Sequence, residues 1–312
     1  MKISMRIPMD VDDQVEFQNP AAITQMAQAM EKAGVDACYI TEHPIPTTEW
    51  RRPNGHDALD PFAALAFVAA VTTKLRLHTN LVVLPYKNPF ITAKSVASVD
   101  VLSAGRLILG VGVGYLKGEY DALGVDFASR GFLMDQALKA MKVAWAEEDV
   151  VFEGRGFKAV GNIARPRPIQ QPHPPIWGGG NSDRAVRRAA ELCDGWSPFF
   201  AAKAMSERAG TDEMTTLEDL KAKLDKLRGF LDGAGRTRPF DVNISPPKGM
   251  QALTTSEANR YAEDVAKLAE MGVNWTSCGV PQPSRQAFLD NIQWVGEEVL
   301  PKLHAITPRP LR

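Results

Sequence analysis

The sequence predicts a single α/β domain over residues 1–312: a (β/α)8 barrel of the TIM type with insertion loops at its C-terminal mouth. Three observations carry this. Runs of β-branched and apolar residues alternate strictly with amphipathic stretches, eight of each, as a parallel sheet closed on itself requires. The phrases Ala33-Gly34-Val35-Asp36 and Met271-Gly272-Val273-Asn274 repeat one device, a glycine that stops a helix followed at once by a buried strand. The 312 residues spread over eight units at about 39 each, ample for one barrel with two long loops. The competing architecture is an open doubly wound sheet of about six strands with a second domain.

The elements follow in order. A strand over 3–8 leads to a helix over 20–32, where Asn19 is the cap, Pro20 suits the first turn and Gly34 marks the end. Strands over 37–41, 76–84 and 106–112 lead to helices over 60–70, 88–102 and 131–146. Strands over 175–178 and 195–197 lead to helices over 183–192 and 217–232. A strand over 240–245 precedes a helix over 256–270, opened by Ser256 with Glu257 and closed by Gly272. The last pair is a strand over 274–279 and a helix over 285–300. Two stretches stand outside the count. Residues 150–174 are rich in Gly and Pro and hint at a small hairpin, and residues 199–216 are polar and patternless. Loops of this length usually shape a site.

Composition excludes more than it names. Lys and Arg number 36 against 37 Asp and Glu, a net charge of −1, so there is no electrostatic footprint for nucleic acid or an anionic membrane. No run approaches the ~18 apolar residues of a membrane span. The first residues lack a signal peptide's apolar stretch, so a cytoplasmic protein is expected. Cys38, Cys193 and Cys278 are odd in number and far apart, the pattern of buried thiols in a reducing compartment. The five histidines show no paired-ligand spacing, and no metal site is expected. A GxSxG elbow and a GxxxxGK[ST] loop are both missing, which argues against an α/β-hydrolase and a P-loop nucleotidase.

Catalytic residues of such barrels sit just past the C-terminal ends of the strands. Glu42 and His43 follow the second strand, and an imidazole there could act as general acid or base, although a lone histidine can equally be structural. Asn80, inside the apolar third strand, must find a partner in the barrel or meet a ligand. Gly110, Gly112 and Gly114 alternate with valines and so fall on one strand face, either admitting something flat or relieving crowding in the barrel. Gly178, Gly179 and Gly180, with Asn181 and Ser182, form a strand-to-helix turn whose amides could bind phosphate; otherwise it is a tight turn without ligand.

These phrases resemble the bacterial luciferase-like flavin and deazaflavin oxidoreductases. The matches are residues 40–43 (Ile-Thr-Glu-His), 79–89 through Asn80 and Leu81, 105–115 through Gly112, Val113 and Gly114 and on through Glu119-Tyr120 to Gly124, and 175–180 (Pro-Ile-Trp-Gly-Gly-Gly). They cover about the first 200 residues in matching order. The resemblance implies a flavin-type ring at the barrel mouth, a non-proline cis bond at Asn80–Leu81, an active-site His43, Gly112 beside the reactive part of the ring, and the Gly178–Ser182 turn on the cofactor phosphate. It also implies a homodimer acting on a small molecule. Two positions depart from the pattern. Val113 stands where luciferases have a phosphate-contacting arginine, and Tyr115 stands where sugar-phosphate dehydrogenases of the deazaflavin group have an acid. The phrasing is most similar to the probable deazaflavin-dependent oxidoreductases, and the missing arginine at Val113 tilts the expected cofactor slightly to coenzyme F420 over FMN. The alternatives are a non-redox phosphate-binding isomerase or lyase working with His43 and Lys248, and a non-catalytic flavin-binding protein.

Overall fold

The structure, a computed structural model, describes residues 1–9 and 14–311. Among the described residues ten strands run in chain order: β1 (Lys2–Arg6), β2 (Ala37–Ile40), β3 (Arg76–Val83), β4 (Leu107–Gly112), β5 (Val150–Gly154), β6 (Phe157–Asn162), β7 (Ile176–Gly179), β8 (Gly195–Ser197), β9 (Asp241–Val242) and β10 (Trp275–Ser277). Eight of them form one parallel sheet in the order β10-β1-β2-β3-β4-β7-β8-β9. Its two ends meet through the parallel bridge between Asn243 and Trp275, with the Ile244 amide donating to the Trp275 carbonyl at 3.2 Å. The barrel is thereby closed.

The helices are α1 (Gln14–Phe17), α2 (Pro20–Ala33), α3 (Thr48–Asn54), α4 (Pro61–Val71), α5 (Pro89–Leu102), α6 (Lys117–Ala122), α7 (Arg130–Ala146), α8 (Asp183–Leu192), α9 (Lys203–Ala209), α10 (Leu217–Gly233), α11 (Thr255–Met271), α12 (Arg285–Glu298) and α13 (Leu300–His304). The eight expected helices are α2, α4, α5, α7, α8, α10, α11 and α12. Short α3, α6 and α9 lie in connections leaving β2, β4 and β8, and so belong to the mouth.

Local chemistry explains the boundaries. Asn19 accepts from the Ala22 amide to open α2, and Gly34 ends it at a φ of 92° that a side chain disfavours. Gly272 does the same for α11 at 106°. The cap of α11 is Thr254, which accepts from the Glu257 amide, rather than the expected Ser256. Threonine at that place offers the same hydroxyl two residues earlier. The expected seventh strand shrinks to β9 and one bridge, because the chain turns into the mouth after Asn243.

Strand alternation sorts the core. Leu77, Leu107, Leu109 and Ile176 face the helices and join the main cluster, while Ala37, Ile108, Trp177 and Trp275 form a separate cluster on the barrel side. His78 belongs to that inner layer, fully buried, with its ring 4.7 Å from Trp177 and Nδ1 3.2 Å from the Ser4 hydroxyl. The three cysteines are buried and unpaired, and burial pushes each thiol up to about 12.

The two insertions part company. The expected hairpin is β5–β6, packed through Phe157 on Phe90 with ring centres 5.4 Å apart. It follows α7, so it sits in a helix-to-strand connection, which starts at the end of the barrel away from the mouth. No residue of 150–174 lines the mouth cavity, whereas Phe199, Phe200, Met205, Gly210 and Thr211 of the other insertion do. Among the described residues no helix is long and apolar enough to cross a membrane, and no group of three or more His, Cys, Asp or Glu is placed to hold a metal.

Candidate active site

A cavity of about 750 Å³ opens at the C-terminal ends of the strands and brings together segments far apart in sequence: Glu42 and His43, Asn80 and Leu81, Gly112 to Gly114, and Gly179, Gly180 and Ser182. Its floor is made by an irregularity in β3. The register with β4 shifts between Thr79 and Val82, and the Asn80–Leu81 bond within this stretch is cis, as the resemblance implied. The bulge throws the Leu81 side chain across the barrel. A Cβ on Gly179 would lie 2.3 Å from Leu81 Cδ1, and one on Gly112 would lie 3.0 Å from it. A Cβ on Gly110 would lie 2.0 Å from the Thr79 carbonyl oxygen. The glycine-lined face therefore makes room first for the β3 bulge, and the leucine it admits becomes the floor. Gly114, at a φ of 69°, turns the chain out of β4.

Glu42 and His43 divide their work. Glu42 is buried, and both carboxylate oxygens are engaged: Oε2 accepts from the Val83 amide at 2.7 Å, and Oε1 is paired with the Lys87 ammonium. Burial raises its carboxyl above the ordinary range, while Lys87 pulls it back. Glu42 thus ties the end of β2 to the end of β3. His43 faces the cavity instead. Its ring lies 4.4 Å from that of Trp50, 4.8 Å from His56 and 6.4 Å from Tyr115. His56 is bonded through Nε2 to the Thr41 hydroxyl at 2.9 Å, and burial pulls it down to about 4, so it is neutral near pH 7. Burial also raises the Tyr115 phenol.

The turn before α8 is more occupied than its sequence suggested. Ser182 caps the helix by accepting from the Ala185 amide. The amides of Asn181 and Ser182 both donate to the Thr211 hydroxyl, at 2.8 and 3.1 Å. The fully buried Asn181 side chain clasps the 199–216 insertion, donating to the Phe199 carbonyl and accepting from its amide. The next amides, of Asp183 and Arg184, have no acceptor among the described residues. An anion would therefore meet those two amides, the Thr211 proton and the exposed Arg184 guanidinium, which lines the cavity and also reaches Asp135 at 3.4 Å. The donor set fits a phosphate, with Asn181 acting as the clasp.

Several residues of the site escaped the sequence reading: Trp50, His56, Arg184 and Thr211. Tyr86 and Glu119 sit inside the matched phrases, but nothing in those phrases says that the Tyr86 hydroxyl donates to Glu119 at 2.9 Å. Lys248, the second group of the isomerase alternative, is exposed and does not line the cavity.

A family model described as luciferase-like monooxygenase matches residues 1–262. An FMNH2-dependent dimethylsulfone monooxygenase of Pseudomonas putida is 27% identical over 88% of this chain and 68% of its own length. Among solved structures, the monooxygenase RslO1 of Streptomyces bottropensis superposes with a TM-score of 0.76 at 20% identity, covering 96% of this chain and 99% of that one. The coenzyme F420-dependent tetrahydromethanopterin reductase of Methanopyrus kandleri gives 0.72 at 16% identity, covering 97% and 99%.

Proposed function

Because the chain belongs to the luciferase-like monooxygenase family, we propose that it is an oxidoreductase which holds a reduced flavin or deazaflavin coenzyme in the mouth cavity and acts on a small organic molecule beside His43. The observation that carries this reading is the convergence of the Leu81 floor, the Gly112–Gly114 turn, His43 and the α8 anion site around one cavity. Such a coenzyme, once bound, supplies a hydride or the electrons that activate oxygen. The protein supplies the rest. Leu81, held from behind by the glycines, sets the depth of a flat ring. The Asp183 and Arg184 amides, Thr211 and Arg184 take its phosphate. His43 exchanges a proton with the substrate or steadies charge as it develops, and the apolar walls from Phe199, Phe200 and Ile244 limit water.

Coenzyme F420 is favoured over FMN because Val113 offers no charge where luciferases place an arginine; oxygenation and dehydrogenation are both compatible with this site. Titration of the purified protein with each coenzyme, followed by absorbance and fluorescence, tests the reading. Tight binding of one or both supports it, and binding of neither overturns it. His43→Ala is expected to lower turnover at least tenfold with coenzyme affinity unchanged. Unaltered turnover removes His43 from the chemistry. Coenzyme binding without turnover over a broad substrate panel selects the carrier alternative. The expected homodimer belongs to the same proposal. It is supported by α4, which has no charged residue, and by α5, whose Ile91 and Leu102 are exposed. A helix apolar all round is normally covered. A monomeric mass in sedimentation velocity removes it.

A further inference from the structure

We propose that Glu119 is the positioning residue of the site: its buried carboxylate holds the His43 imidazole with the proton on Nδ1, so that Nε2 presents a lone pair to the cavity. This rests on His43 being the working group proposed above.

The geometry is specific. His43 Nδ1 is buried and has no hydrogen-bond partner, and Glu119 Oε1 lies 3.6 Å away. Glu119 comes from α6, in the connection leaving β4, and is 1% exposed. Its Oε2 accepts from the Tyr86 hydroxyl at 2.9 Å, and Oε1 accepts from the Ile45 amide at 3.4 Å. Ile45 is two residues past His43, so one carboxylate grips both the backbone of this loop and the turn after β3. Burial, with Glu119 beside it, pushes the Tyr86 phenol far up and keeps it a donor.

The tautomer follows from what each atom can do. A carboxylate only accepts, and its roughly four lone-pair sites are half used here. A lone pair on Nδ1 would face those of Oε1, which is repulsive; a proton on Nδ1 faces an acceptor. Trp50, His56 and Tyr115 enclose the ring, and none of them bonds Nδ1. Leaving a buried N–H unpaired costs about 1–3 kcal/mol, so the ring and the carboxylate are drawn together. Catalytic hydrogen bonds are often long before the ligand arrives, and a shift of about half an ångström closes this one. An acid behind an imidazole fixes which nitrogen is free to act.

The test is tautomer-resolved nuclear magnetic resonance of the ligand-free protein labelled with ¹⁵N-histidine, with His43 assigned by its loss in His43→Asn. The expected wild-type spectrum has neutral His43 protonated on Nδ1. In Glu119→Gln, whose amide oxygen still accepts, that pattern is kept; in Glu119→Leu it shifts towards the Nε2–H form. Protonation on Nε2 in wild type overturns the proposal, whether or not Glu119→Leu folds. So does an unchanged His43 spectrum in a folded Glu119→Leu. In turnover, Glu119→Leu is expected to lower kcat about ten- to hundredfold with KM within about twofold, with Gln recovering much of it. If His43→Ala keeps full turnover, the catalytic reading of His43 fails on its own, while the tautomer measurement still decides what Glu119 does.

Discussion

Thr211 accepts two backbone N–H bonds, from Asn181 and Ser182, which uses both of its lone pairs and leaves its own proton to give. At the start of α8 that proton points the phosphate reading at a residue the sequence does not advertise. Thr211→Val keeps the shape and removes the donor. It is expected to weaken binding of FMN or F420 about tenfold or more, as loss of a hydrogen bond to a charged group does, while riboflavin, which has no phosphate, binds within about twofold of wild type. Fluorescence titration of the two flavins checks this, and equal losses for both would assign Thr211 to general packing. At this scale the legible residues were those whose position in a strand end already implied exposure to the mouth: His43, Asn80 and the glycines. Glu42 was half legible. It lines the mouth, but the expected catalytic role gives way to a tie between strands, because both its oxygens are taken; its partner Lys87 stands 45 residues on and is brought there only by the packing of β2 against β3. Thr211 lies in a stretch with no period, and its role exists only after the 199–216 insertion folds back onto Asn181.

The β3 bulge and the glycines facing it form one element, and the nature of each close approach separates two outcomes. A Cβ at position 110 meets the Thr79 carbonyl oxygen, a backbone atom that cannot move without breaking the β3–β4 pairing. Gly110→Ala is therefore expected to destabilise by about 1–3 kcal/mol or fail to fold, measured by urea unfolding. A Cβ at 179 meets only the tip of Leu81, which can swing aside. Gly179→Ala is expected to change stability by less than about 1 kcal/mol and to weaken coenzyme binding about tenfold, because the floor moves. In the Leu81→Ala background, adding Gly179→Ala should weaken binding no further, since the atom it displaces is gone; additive losses in that double-mutant cycle would separate Gly179 from Leu81. The alternation of glycine and valine in β4 was visible in the sequence, and so was the single face of Gly110 and Gly112, whereas Gly114, expected on the same face, lies past the strand's end at a φ of 69°. What lay across from that face was not visible, since a register shift in a neighbouring strand leaves no periodic mark. The same holds for β9, whose alternating pattern reads as six residues but pairs over two and one bridge before the chain turns into the mouth.

For the whole molecule, eight repeats of strand and helix made the barrel legible, because period-2 and period-3.6 patterns report burial directly. The expectation that both insertions sit at the mouth holds only for 199–216, which comes after a strand; 150–174 comes after a helix, and that order of elements puts it at the other end. What needed the closed barrel was the inner layer at its base. His78 sits there at 0% exposure, and burial pulls it down to about 3 against an ordinary 6.5. The folded protein keeps this ring neutral while the unfolded chain protonates it. Between about pH 6.5 and 3 the unfolded state therefore binds more protons, and stability falls as the pH is lowered, by up to about 1.4 kcal/mol per unit. His56 and His173 are lowered by burial and act in the same sense, more weakly because they are partly exposed. Glu42, raised by burial, acts in the opposite sense. A comparison of wild type with His78→Gln by urea unfolding isolates the buried imidazole, since the other groups cancel in the difference. Above pH 7 the wild type is expected to be the more stable protein. As the pH drops from 6.5 to 4.5 its advantage should shrink by about 2 kcal/mol. A gap that stays constant over that range would show that His78 takes up its proton in the folded barrel as readily as in the unfolded chain.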